Sequence, residues 1–409
     1  MAIVKPFKAF RYTAKAGDPA RLVTQPYDKI SPEMQARYLE NSPFNLVRII
    51  LGERFASDDD KNNVYTRAAD YLENWIQEGI LAQDSVPAFY AYSQEFEVPD
   101  TGERAVRKGF IGLGKIEDYS AKVVHRHEQT LSGPKKDRLN LLRAAHAHFG
   151  QIFMLYPDPE QDVDRLLDGG KPLMDVLDDY QARHRLSAIT DPATIEEIQE
   201  LLAPRKLLIA DGHHRYETAL AFRNESRGIP SAGYVMMTFV NMHSPGLKIL
   251  ATHRVLRNLD GFDGRKFLEH AANGWTVTTC ESVDGVRKAL QIPQPDRVRI
   301  AAVTRGAIHL LERPREEEEL DVPVLHQEIL GDMLGIGEEA VREEKYITYV
   351  RGIDAAVAQV KDHSAQIAFL LEPTPMEDMA RIAFAGGVMP QKSTDFYPKL
   401  LSGVTIYRL

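Results

Sequence analysis

The chain has 409 residues but only one cysteine, and it contains no apolar run long enough to cross a bilayer. A lone Cys280 cannot form an intramolecular disulfide, which fits a reducing compartment. Its neighbours Val277, Thr278 and Thr279 predict a strand carrying a buried structural thiol rather than a nucleophile. Residues Met1 to Pro6 lack the apolar stretch of a secretory leader. The expectation is a cytoplasmic protein with no membrane contact. Positive charge is also scarce: 50 Lys and Arg against 59 Asp and Glu give a formal net charge of −9. Duplex nucleic acid selects a basic surplus or stripe, so no nucleic-acid partner is expected. A small anion needs only a few local cations and is not excluded. Internal repeats and low-complexity tracts are absent, and the acidic run Glu316 to Glu319 reads as a solvated loop or helix start.

What is present is ordinary globular material, 44% hydrophobic and 27% charged, long enough for two or three domains or one composite one. Turn residues at Pro26-Tyr27-Asp28 precede a helix over 33–40. Asn45 to Gly52 reads as a short strand, and 62–78 has helical periodicity through Val64, Ala68, Tyr71, Leu72, Trp75 and Ile76. Segments 88–98 and 107–116 read as strands joined by the turn Asp100 to Glu103. Residues 136–147 are helix-like, with His146 and His148 on different faces of that helix. Beyond residue 150, strands at 150–156, 187–190, 206–210 and 234–240 alternate with helices at 192–202 and 216–225. This is a mixed α/β (α+β) pattern with mixed sheets, in sections 1–150, 151–245 and 246–409 or as one composite domain.

The chemistry concentrates at Asp211-Gly212-His213-His214-Arg215, between an apolar strand and an amphipathic helix. The first turn of a helix has unpaired N–H groups and partial positive charge, so an anion fits there, phosphate above all. Gly212 allows close backbone approach. Arg215 can make paired, charge-assisted bonds to phosphate oxygens. His213 and His214 can donate, or move a proton near neutral pH. Asp211 can hold magnesium or cap the helix. The bland alternatives are an N-cap at Asp211 and an ion pair at Arg215, but five special residues together exceed what packing alone needs.

A second polar cluster joins His125, His127 and Glu128 to Lys135, Lys136, Asp137 and Arg138. Histidines four apart on a helix are missing, which excludes a zinc-protease site. Glu128 is a candidate general base or metal ligand, with His127, Lys136 or Arg138 on phosphate; the alternative is a solvated loop. Near the C-terminus, Gln391 stands where a phosphate loop needs glycine before Lys392, so a Walker-type loop is excluded, although Lys392, Ser393 and Thr394 can still meet a ligand. Asn45, Arg48 and Asp28 either line the same cleft or stabilise turns. His253 reads as structural.

Several of these segments, namely Pro26-Tyr27-Asp28, Asn45 to Arg48, Arg107 to Gly112, His127 to Thr130, Asp137-Arg138, Ala210 to Thr218, Thr252 to Arg254 and Met389 to Leu400, resemble the bacterial family called domain of unknown function 1015. More locally, Asp211 to Arg215 is similar to the nucleotide-binding turn of ParB/sulfiredoxin-type free-serine kinases. That resemblance implies a ParB/sulfiredoxin-like nucleotide-binding core. It places phosphate contacts at Gly212, His213, His214 and Arg215, and magnesium or proton handling at Asp211. Glu128 would supply the base, although no motif marks it. The sulfiredoxin branch has cysteine where this chain has His213, which argues against sulfinic acid reduction. The expectation is a magnesium-dependent phosphotransferase that uses ATP or ADP on a small hydroxyl metabolite, with free L-serine the leading candidate. The candidate catalytic residues are Glu128, His127, Asp211 and His214, with Arg138 and Lys392 as further phosphate contacts. A non-catalytic nucleotide sensor and a phosphohydrolase of a small phosphorylated metabolite are the alternatives.

Overall fold

The computed structural model describes residues 1–128, 132–317, 319–390 and 392–409. Gln129, Thr130, Glu318 and Gln391, named above, lie outside the described residues. Mixed α/β architecture is observed, in two compact units. The first comprises 1–97, 104–248 and 398–409; the second comprises 98–103 and 249–397.

The first unit is built on a nine-stranded mixed sheet. Its strands are β1 (Val4–Lys5), β2 (Phe89–Glu97), β3 (Arg104–Lys115), β4 (Val124–His125), β5 (Ile152–Tyr156), β6 (Lys171–Leu177), β7 (Arg183–Ile189), β8 (Leu207–Asp211) and β9 (Tyr234–Asn241). They lie in the order β4-β8-β5-β9-β3-β2-β7-β6, with β1 against β3. Strands from both sides of residue 150 are interleaved in this sheet, so the expected sections 1–150 and 151–245 share one core. β5, fully buried along its length, sits between β8 and β9, which is why its sequence is a continuous apolar run rather than an alternating one.

The helices start where local chemistry dictates. Ser31 caps α1 (Pro32–Asn41) by accepting from the Met34 amide at 3.2 Å. Asn63 and Thr66 form a capping box on α3 (Val64–Gln77). Asp191 caps α5 (Pro192–Leu202). α2 (Val47–Ile50) corrects the expectation of a strand at 45–52: Val47, Ile49 and Ile50 are all buried, and an apolar run this short fits either state. α4 (Ser132–Ala145) packs on α3 and on α6 (His213–Glu225). It ends before the two histidines placed on it: His146 has a left-handed φ of 47°, and His148 pairs in extended form with Tyr407.

The second unit holds a six-stranded sheet in which every pairing is antiparallel. One apolar cluster gathers Phe267, Trp275, Leu325 and Phe369; another gathers Val286, Leu310, Val357 and Leu370. Cys280 does end a strand, Thr276–Cys280, but it is half-buried rather than buried. Among the described residues no helix is long and apolar enough to cross a membrane.

Candidate functional site

β8 is buried from Leu207 to Ala210 and delivers Asp211 at its end. Gly212 follows with φ 92° and ψ 28°, a left-handed conformation that a Cβ disfavours. α6 starts at His213, and the Tyr216 amide bonds the Gly212 carbonyl at 2.9 Å. Gly212 has no side chain with which to cap it. A helix of 13 residues thus opens without a cap from its preceding residue, and its start carries partial positive charge.

Asp211 Oδ1 accepts the Gly212 amide at 2.7 Å, and Oδ2 lies 3.3 Å from Lys399 Nζ. Burial works to raise this carboxyl, but Lys399, Arg215 and Lys29 outweigh it and hold the group well below the usual carboxylate range. Arg215 folds back over the turn. Its guanidinium stands 3.8 Å from Asp211 Oδ1, and it donates to the Gln151 carbonyl. The ion pair considered for Arg215 therefore exists, as a loose one. Gln151 is buried, and both polar atoms of its side chain find no partner among the described residues.

His127 sits behind the turn because β4 runs parallel to β8, pairing Val124 with Leu207 and His125 with Leu208. Its Nδ1 donates to the Ile209 carbonyl at 2.8 Å, and its ring centroid is 4.7 Å from that of His213. Burial pushes His127 down to about 4. Burial, with His127 beside it, pushes His213 well below its ordinary value. Both rings are neutral at neutral pH. His213 Nε2 is buried without a partner among the described residues. The solvated-loop alternative fails for His125 and His127, which are both buried. Glu128 follows, half-buried, and His214 is half-buried on the first turn of α6.

Arg126 and, on α4, Lys135 and Arg138 are employed in ion pairs. Lys135 and Arg126 meet Glu217 at 2.8 and 3.3 Å. Arg138 bonds Asp137 at 2.5 Å and the Ile50 carbonyl at 2.7 Å, with its guanidinium 4.1 Å from the Tyr27 ring centroid. Lys136 is exposed. Arg138 and Arg215 nevertheless share a cavity of about 70 Å³ with Pro26, Tyr27, His148 and Gly150, so the Pro26-Tyr27 turn lines the same cavity as Arg215. Asp28 is exposed. Asn45 is a turn residue: its Oδ1 caps the Val47 amide at 2.9 Å and its Nδ2 bonds the Arg21 carbonyl at 2.8 Å. His253 is structural, its Nδ1 accepting from the Leu371 amide at 3.3 Å. Lys392 belongs to the second unit, with φ 60° and its carbonyl taken by Arg254 at 3.1 Å.

Two cations at the turn escaped the sequence reading, Lys29 and Lys399. Each lay beside or within a segment already singled out, Pro26 to Asp28 and Met389 to Leu400, but nothing local marks either one as facing Asp211.

Magnesium was expected at Asp211. The carboxylate instead faces the Gly212 amide and the cations Lys399, Arg215 and Lys29, and among the described residues no group of three His, Cys, Asp or Glu side chains gathers as a metal cage.

The fold and turn define a mixed α/β protein with a strand–glycine–helix turn backed by buried imidazoles. The sequence model of the family described as "Protein of unknown function (DUF1015)" matches residues 4–331, and the chain belongs to that family. Among solved structures, it is similar to a conserved hypothetical protein from Pyrococcus furiosus, with 14% identity and a TM-score of 0.34, covering 67% of this chain and 87% of that one. It is also similar to a free serine kinase in complex with AMP, with 13% identity and a TM-score of 0.35, covering 67% and 83%. A third is SbnI with C-terminal truncation from Staphylococcus aureus, with 10% identity and a TM-score of 0.36, covering 71% and 85%. At these scores the likeness transfers no activity. No curated protein matches the chain.

Proposed function

We propose that the chain binds a nucleotide, ATP or ADP, with a phosphate group against the Gly212–Arg215 turn, and transfers its terminal phosphoryl group to a small hydroxyl metabolite, free L-serine first among candidates. The observation that carries this reading is the left-handed Gly212 opening α6 beside Arg215 and Lys399, with the Gln151 side-chain amide and His213 Nε2 buried without a hydrogen-bond partner among the described residues. Buried polar groups without partners gain most when a ligand supplies them. The resemblance of Asp211 to Arg215 to a kinase turn supports the nucleotide.

Phosphoryl transfer depends mainly on positioning and charge neutralisation. Arg215 and the helix start would hold the phosphate, with His214 and Arg138 as further contacts. Asp211 stays ionised and is a poor proton acceptor. Neutral His127, with its Nδ1 proton committed to Ile209, acts as a positioning residue. Glu128 is then the proposed base. As the hydroxyl oxygen bonds the terminal phosphorus and the bond to the leaving nucleotide oxygen breaks, the hydroxyl proton passes to the Glu128 carboxylate. Magnesium enters only as the counter-ion carried by the nucleotide.

The test is incubation with ATP or ADP, magnesium and L-serine, followed by detection of phosphoserine. Absence of product across nucleotides and hydroxyl compounds, together with absence of nucleotide binding by calorimetry, ends the proposal. A nucleotide sensor is the second reading, favoured by how firmly Asp211 and the buried imidazoles are held in single protonation states. It requires binding without product.

A further inference from the structure

We propose that Lys399 is a phosphate ligand of this turn and that Asp211 is its internal counter-ion in the free protein, released when a phosphate dianion arrives. The inference rests on the reading that an anion occupies the turn, and it adds the residue that meets the anion and the charge the anion carries.

Lysine on a surface normally snorkels into water. Lys399 does not: its side chain is 10% exposed and its ammonium lies 3.3 Å from Asp211. The backbone beneath it is clamped. Arg107 donates to the Pro398 carbonyl, Gln94 Nε2 to the Lys399 carbonyl at 2.8 Å, and the Leu401 amide to Tyr92 Oη at 3.3 Å. All three clamping side chains are buried. They are tied to one another through Gln94 Oε1, which accepts Arg107 Nε at 3.0 Å, and through His184 Nδ1, which lies 2.6 Å from Tyr92 Oη. Burying so many polar groups costs free energy, and the result is a lysine aimed at one spot.

That spot already holds Arg215, and Lys29 acts on the same carboxylate. These three cations and Asp211 sum to +2, which matches the charge of a terminal phosphate. Asp211 keeps the cations gathered; its own loose contacts, 3.3 and 3.8 Å, are longer than good charge-assisted bonds. A phosphate oxygen at a shorter distance can therefore compete with it for Lys399.

The experiment is calorimetric titration of ADP, pyrophosphate and adenosine into the full chain and into Lys399→Met, Lys399→Arg, Asp211→Asn and the double variant Asp211→Asn/Lys399→Met. Expected are ADP and pyrophosphate affinities about 10- to 100-fold weaker in Lys399→Met, recovery in Lys399→Arg, and Asp211→Asn binding as tightly as the unaltered chain or tighter. Adenosine is expected to show none of these differences. Should Lys399→Met strand its carboxylate and fail to fold, the double variant removes both charges and must bind more weakly than Asp211→Asn. If the unaltered chain binds ADP and the lysine variants bind equally, this inference falls and the turn survives as an anion site. If the unaltered chain binds neither ADP nor pyrophosphate, the anion reading itself falls.

Discussion

His127 is neutral and buried in the fold but exposed and titratable in the unfolded chain, so acid should act on stability through it. Its pKa is pushed from 6.5 down to about 4. Between those values the unfolded chain binds more protons than the folded one, and stability rises with pH wherever that holds. The contribution is therefore whole above pH 6.5 and is lost progressively as pH falls toward 4. At pH 5 the lowered value corresponds to about 2 kcal/mol of lost stability relative to pH 7.5. Other groups titrate over the same interval, so the informative quantity is a difference. His127→Asn keeps a donor near the Nδ1 position for the Ile209 carbonyl, 2.8 Å away in the native side chain, and removes the titration. Urea unfolding at pH 7.5 and pH 5 should show the variant losing about 2 kcal/mol less than the unaltered chain across that interval. Equal losses in the two proteins would mean that the imidazole is not held neutral against β8, and the account of how the turn is backed would fail.

Three further outcomes are expected. Gly212→Ala places a Cβ in a left-handed conformation and 3.0 Å from the Arg215 guanidinium; urea unfolding should show a loss of about 1–2 kcal/mol, and titration should show weaker nucleotide binding. Arg215→Ala should leave far-UV circular dichroism unchanged while weakening nucleotide binding by about tenfold or more. Asn45→Ala should cost about 1–2 kcal/mol, because it strips a buried cap from Val47 and a partner from Arg21, and should leave nucleotide affinity as it was.

Local patterns were legible where the physics is local. The helix over 192–202 is marked by a proline after a capping aspartate, and the structure has it over those residues. The hairpin of β2 and β3 followed from alternation over 88–98 and a strand-like run over 107–116 on either side of the turn at 100–103. The strand at 171–177 was missed, since most of its residues are exposed and it does not alternate; an edge strand needs only one neighbour and imprints little on its sequence. The helix at 47–50 was misread because burial on every side erases the period that separates helix from strand.

By itself, the sequence determined the turn: an apolar strand, a glycine able to take φ 92° and a helix in immediate succession, with arginine placed to fold back on that glycine. Those are consequences of neighbours along the chain. What surrounds the turn was decided only by tertiary structure. The pairing of β4 with β8 buried His127 and set its charge, and the return of 398–409 to the first unit brought Lys399 to Asp211. Charge state depends on burial and on cations distant in sequence, and neither quantity is carried by any short stretch of residues.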